Sequence, residues 1–331
     1  MTTDRRASIP WQRRAAVAPL FAAALLLGYF VLSATVYWTG AARYPYTLEN
    51  GEGWVLASAV QLASGQSPYS TLEDYPFLVG NYPPLYLVAN AAAIRAWGFS
   101  PLYGRLLSLT ALVVSAALIV LGARRLGTPW LAAVLGGLYY LAIPGMRFVA
   151  PQARVDMVAA ALTVAGVTWL LWSEAGTGVV GPAVCFATAL AAKHSMVAAP
   201  AAAIAWLVWH DRPRAWRLAL WTGGLTLGWL GACWAVFGTT FFLNIGPYTA
   251  AIPWAWKHVV RIWTYALGMW YVPALVATGA YGAWAVARGE PRARLVALYG
   301  LAAAATLVFV AKEGSSLLYL TEYSVAGSLV L

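Results

Sequence analysis

Apolar runs long enough to cross a bilayer follow one another along nearly the whole chain, and that succession limits the fold more than any other feature. A spanning helix needs about 20 apolar residues, each rising about 1.5 Å. The first run covers Ala16–Trp38. After a long interruption at Thr39–Ser100, the next runs read Pro101–Gly122, Pro129–Pro144 and Val155–Trp172. Val179–Ala192 and Ser195–Trp209 are shorter, and Lys193-His194 between them predicts a hairpin with a broken apex. Leu218–Phe237, Ile262–Val286 and Leu295–Val310 follow, then a last apolar run from Leu317. That run reaches Leu331 with no exit loop, so the chain reads as cut off in mid-span. The expectation is an all-α polytopic membrane protein of about nine to ten transmembrane helices, forming one domain over residues 1–331.

Composition agrees and removes other classes. The chain is 62% hydrophobic and 10% charged, against about 45–50% and about 25% for soluble domains. Its net charge of +10 has no Lys/Arg stripe to suit nucleic acid. Topology accounts for much of it. Placing residues 1–14, 123–128, 173–177, 210–217 and 287–294 in the cytoplasm collects twelve of the 21 basic residues, and the spans then alternate without contradiction. The 39–100 loop therefore faces outward. Arg43, Arg95, Arg105, Arg147, Arg154, Lys193, Lys257, Arg261 and Lys312 remain on its side. Singly they read as snorkelling anchors; together they suit an anionic lipid headgroup. Arg5, Arg6, Arg13 and Arg14 precede a run too long for a signal peptide, so the first span is retained. Cys185 and Cys233 sit in apolar runs as small buried thiols.

The outward loop holds four of the eleven acidic residues: Glu49, Glu52, Glu73 and Asp74. Asn50 is a good N-cap for a helix running to about Ser64, with Glu52 in its first turn. Val55, Leu56, Ala59, Leu62 and Ala63 recur at helical spacing, so this helix should lie on the membrane surface with its start exposed. Gly65 ends it. Pro83 forces Tyr82 extended, and Pro84 opens a second, interfacial helix, Leu85–Trp97.

Ionisable residues at or inside spans are functional candidates by default. Glu52 either complements a helix dipole or serves as a base for an attacking hydroxyl. Asp156 either closes a helix end with Arg154 or acts in a site. Lys193-His194 needs a partner, which a phosphate, Asp156 or Glu52 could be. Glu322 lacks an obvious mate. No metal-ligand spacing and no phosphate-binding glycine motif is present.

The ordered set Glu52-Gly53, Gly65-x-x-Pro68-Tyr69, Tyr82-Pro83-Pro84-Leu85-Tyr86, Arg154-Val155-Asp156-Met157 and Lys193-His194-Ser195 resembles the type C glycosyltransferases. It is closest to the family 39-like group of protein mannosyltransferases and aminoarabinose transferases, over roughly Trp38 to Trp209, with weaker agreement at Gly314–Tyr323. The resemblance implies an inverting glycosyltransferase, moving a sugar from a polyprenyl-phosphate donor to an extracytoplasmic glycan, lipid or protein acceptor in the cell membrane. It implies no cofactor, a divalent cation being left open. The family's catalytic acid often stands as Asp-Glu, and the matching pair here is Gly51-Glu52, so the Asp is missing. Glu52 is then the expected base, with Glu49 and Asp156 in reserve. Arg147, Arg154, Lys193 and His194 would hold the donor phosphate, and Trp54, Tyr69, Tyr82 and Tyr86 would stack on sugar and order the loop. The rival is a transporter or flippase of polyprenyl-linked substrates. It calls for polar span interiors and paired interrupted helices in two halves, which the later spans and the lack of a repeat oppose.

Overall fold

The structure, a computed structural model, describes residues 10–73, 77, 79–174, 176–268, 271–313 and 316–330. Arg5, Arg6, Asp74, Gly314 and Leu331 of the reading above lie outside the described residues. Every named element is helical. The chain is an all-α polytopic membrane protein, as expected.

In order, the helices are α1 (Pro10–Arg43), α2 (Asn50–Ala63), α3 (Leu85–Trp97), α4 (Leu102–Arg125), α5 (Trp130–Ala142), α6 (Pro144–Val149) and α7 (Val155–Trp172). There follow α8 (Val180–Ala192), α9 (Ala198–His210), α10 (Arg212–Phe237) and α11 (Thr239–Leu243), which continues as a π-turn at Asn244–Tyr248. The chain then forms α12 (Trp256–Gly268), α13 (Tyr271–Arg288) and α14 (Pro291–Thr306), which tightens into a 3-10 turn at Leu307–Ala311. A second 3-10 turn, Leu317–Leu320, leads into α15 (Thr321–Ser328).

The bundle is built around α7, which packs against α4, α8, α9, α14 and α15. Small residues let these helices close on one another where no water-driven term acts. A Cβ at Gly166 of α7 would come within 2.4 Å of the Phe186 ring on α8, and one at Gly137 of α5 within 2.7 Å of Val120 on α4. The α1 helix lies at the edge, against α5, and turns Phe21, Leu25, Leu32 and Val36 outward. On α10, Trp216, Leu220, Leu227 and Val236 are likewise exposed. In a bilayer these faces meet lipid.

Among the described residues, five helices are long and apolar enough to cross a membrane: Ala18–Arg43, Leu102–Arg125, Val155–Trp172, Arg212–Phe237 and Pro291–Ala311. Helices α5, α8 and α9 are apolar but reach only 13 residues each, roughly 20 Å at 1.5 Å per residue. Helix α12 begins at Trp256, ahead of the expected Ile262, and exposes Lys257 and Arg261. The polar stretch His210–Arg217 is mostly helix, because Asp211 caps α10 by accepting from the Arg214 N–H at 3.1 Å and Pro213 suits the first turn.

Candidate functional site

The segment between α1 and α4 is organised by one charge pair. Glu49, in extended conformation, occupies the N-cap position of α2, so Asn50 is the first helical residue rather than the cap. Gly65 ends α2 at φ +80. Glu52 falls in the first turn, on the face that also carries the buried Val55, Leu56 and Ala59. The expected exposed start is therefore corrected at this residue: Glu52 is 0% exposed.

The partner of Glu52 is Arg105, in the first turn of α4 and itself fully buried. Nε of Arg105 donates to Oε1 at 2.9 Å and Nη2 to Oε2 at 2.9 Å. The remaining guanidinium donors go to the carbonyls of Ala41, Tyr44 and Tyr46, so all five N–H groups are matched. Glu52 also accepts from the backbone N–H of Leu48 at 2.5 Å and of Ala153 at 2.7 Å. The carboxylate is saturated. It ties the end of α1, the loop, α4 and the turn before α7 together.

One residue beyond Ala153, Arg154 starts a second set of charges. Its Nη1 donates to Oε2 of Glu49 at 2.9 Å and its Nη2 to the Tyr82 hydroxyl at 2.9 Å, while its Nε lies 3.8 Å from Oδ2 of Asp156. The last separation is too long for a hydrogen bond. Oδ1 of Asp156 accepts from Lys193 Nζ at 2.6 Å. The hairpin apex between α8 and α9 thus packs at the same end of the bundle as the 39–100 loop. Burial works against the Lys193 cation, but Asp156, Tyr82 and Tyr319 outweigh it and the pKa is raised, so Lys193 stays charged. Its Nζ lies 4.8 Å from the centre of the Tyr319 ring. His194 beside it is driven down to about 4 by burial and by Lys193 and Lys312, and is neutral at physiological pH.

Gly51 is where the resembled family has its Asp, and the geometry explains the glycine. A Cβ there would lie 1.8 Å from Nη1 of Arg154 and 2.9 Å from Oε2 of Glu49. The space of a side chain at 51 is filled by a guanidinium, with a carboxylate supplied from two residues upstream. Glu49 retains 41% side-chain exposure, whereas Asp156 retains 1%.

Of the expected residues, Glu49, Arg154, Asp156, Lys193 and Tyr82 form one connected group. Arg147 points elsewhere, donating to Ser33 at 3.3 Å and lying over the Tyr37 ring of α1. Trp54 is exposed. Tyr69 is buried edge-on against Phe237 and Phe241, and its hydroxyl donates to the Tyr82 carbonyl at 2.8 Å. Burial pushes its phenol well up, so it serves as a neutral donor that orders the loop. Tyr86 is buried too, its hydroxyl donating to the Gly104 carbonyl at 2.8 Å. Sequence reasoning missed Arg105 as Glu52's partner, counting it among the snorkelling anchors. The available signal was a charge in the first turn of an apolar span, which demands a buried partner.

Next to Lys193 a narrow cleft opens, lined by Ser195, Thr306, Tyr319 and Glu322 with Met196 and Phe309. Among the described residues no three His, Cys, Asp or Glu side chains gather as a metal site.

Neither a protein-family model nor a curated protein sequence matches the chain. Solved structures do. The crystal structure of ArnT from Cupriavidus metallidurans bound to undecaprenyl phosphate superposes with a TM-score of 0.63 at 18% identity, covering 92% of this chain. The apo state of the same protein gives 0.62 at 18% identity over 93%. The chain has the fold of that protein and spans 59% of its length.

Proposed function

We propose that the chain carries the donor-binding part of an inverting membrane glycosyltransferase, which moves a sugar from a polyprenyl phosphate to an acceptor hydroxyl on the extracytoplasmic side. The observation that carries this reading is the pair of cations, Arg154 and Lys193, held on either side of Asp156 at one end of an apolar bundle. Two fixed cations beside hydrocarbon suit a phosphate on a lipid tail. The likeness to a fold solved with undecaprenyl phosphate supports the same assignment.

Each residue then has a task. Arg154 and Lys193 hold the donor phosphate and stabilise the charge that grows on it as the sugar departs. Asp156 orients both cations. The base must have a lone pair that a hydroxyl can reach, and the four bonds to Glu52 leave none. Glu49 has the exposure required, and its Arg154 contact is one a phosphate would compete for, freeing the carboxylate. We therefore assign Glu49 as base and Glu52 as anchor. Tyr82 and Trp54 remain as sugar-facing groups, and Arg147 and His194 as residues outside direct phosphate contact. The scheme needs no cofactor.

The test is transfer of radiolabel from a panel of undecaprenyl-phosphate sugars in membranes holding the full-length protein, with and without a chelator. Glu49→Gln should lower turnover about 10²–10⁴-fold, and Lys193→Met should weaken donor use. Unchanged transfer in Glu49→Gln would remove the base assignment. Movement of sugar-lipid across vesicles without transfer would favour a flippase, and loss of activity with chelator would add a divalent cation.

A further inference from the structure

Glu322 is a buried carboxylate that the transfer scheme leaves idle. It stands in the first turn of α15, 4% exposed. Its Oε1 has no hydrogen-bond partner among the described residues. Buried acceptors are rarely left unmatched, and an orphan in a cleft marks a place for a ligand's donor.

The cleft has the chemistry of a carbohydrate site. Tyr319 and Phe309 offer aromatic surface to C–H faces, while Ser195 and Thr306 offer hydroxyls beside the carboxylate. Lys193 belongs both to this lining and to the ion pair with Asp156. Whatever sits in the cleft therefore lies one side chain away from a group held by Lys193. The cleft is narrow as it stands, and Met196, an adaptable side chain, borders it.

Resting on the donor-phosphate reading above, we propose that this cleft is the sugar subsite, and that Glu322 accepts a hydrogen bond from a hydroxyl or amino group of the donor sugar. Glu322 is then a specificity-determining residue. It contributes to binding of a lipid phosphate that carries a sugar and contributes nothing to binding of the bare lipid phosphate.

The experiment measures binding by the purified full-length protein of undecaprenyl phosphate and of the same lipid carrying a neutral pentose, an aminopentose or a neutral hexose. Wild type, Glu322→Ala and Glu322→Gln are compared, with Ser195→Leu filling the cleft as a second variant where a Glu322 change fails to fold. The expected result is a loss of about 10–100-fold for at least one sugar-bearing lipid, the order of leaving a buried hydrogen-bonding group unpaired, with undecaprenyl phosphate bound within about twofold of wild type. Equal weakening of bare and sugar-bearing lipids would overturn the subsite, giving Glu322 a structural role. So would wild type binding every sugar-bearing lipid no more tightly than the bare one, or no loss in any variant. Failure of wild type to bind any of the four lipids would instead overturn the donor reading, and this inference with it.

Discussion

Replacing Glu52 by Gln separates two accounts of this protein by stability rather than activity. Read from spacing, Glu52 is a base at an exposed helix start, and the Gln variant should fold well and be inert. The structure gives the reverse order of effects. Glutamine keeps one oxygen and exchanges the other for NH2. Whichever way the amide turns, that NH2 meets two donors: Arg105 Nε–H with the Ala153 N–H, or Arg105 Nη2–H with the Leu48 N–H. Two of the four bonds are lost and the Arg105 charge stays buried with carbonyls alone. Breaking a buried pair from one side costs about 3–5 kcal/mol, a large part of the roughly 5–15 kcal/mol that holds a domain together. At roughly 2–4 °C per kcal/mol for a chain of this order of size, melting should fall by about 6–20 °C. Tryptophan-fluorescence melting in detergent reads this directly. A control sharpens it: Glu52→Leu with Arg105→Met should melt closer to wild type than either single change, since no charge is stranded. A Glu52→Gln protein that melts within about 2 °C of wild type yet has lost all turnover would refute the reasoning and return the base to Glu52.

Three further outcomes follow from the same geometry. Gly51→Ala must displace the Arg154 guanidinium, so it should weaken undecaprenyl-phosphate binding while changing melting far less than Glu52→Gln; unchanged binding would show that Arg154 does not hold the lipid. Lys193→Met leaves buried Asp156 without its hydrogen-bonded cation, with only the Arg154 contact at 3.8 Å, and should be less stable than Lys193→Met with Asp156→Asn by a few kcal/mol; equal melting would show the pair is dispensable. His194 binds a proton near pH 6.5 when unfolded and near pH 4 when folded. The unfolded state therefore holds more protons in that window, and stability should decline as pH falls from about 6.5 to about 4. His194→Gln should flatten that slope, and an unchanged slope would exclude His194 as its source.

Much of the architecture around the site could be read from the sequence because local chemistry decides it. Gly65 and the Pro83-Pro84 pair end and begin α2 and α3 whatever surrounds them, so Leu85–Trp97 matches its expected bounds and α2 differs from its own by one residue at each end. Arg154, Asp156 and Lys193 could be picked out because charges at the ends of apolar runs need partners. Spacing could not say who the partners were. Glu52 and Arg105 are 53 positions apart, and only the tertiary approach of the start of α2 to the start of α4 makes them neighbours. Tyr69 and Tyr82 look alike in sequence; one is buried by α10 and α11, whereas the other meets Arg154.

The Glu52 bond to the Ala153 N–H has a mechanical side. Ala153 is the backbone link on which Arg154 is mounted, so the height of the Arg154 guanidinium relative to Lys193 is set by a carboxylate rooted in another helix. The end of α1, the start of α4 and the start of α7 are thereby gauged against one common point, with a tolerance of a hydrogen bond's length. Misplacement by about 1 Å can cost about 10²-fold in rate even when it arises far from the chemistry. Thinning or tilting of the surrounding bilayer that shifted α4 along its axis would carry Arg105, Glu52 and Arg154 together, so the spacing within the charged group would hold while its depth in the membrane changed.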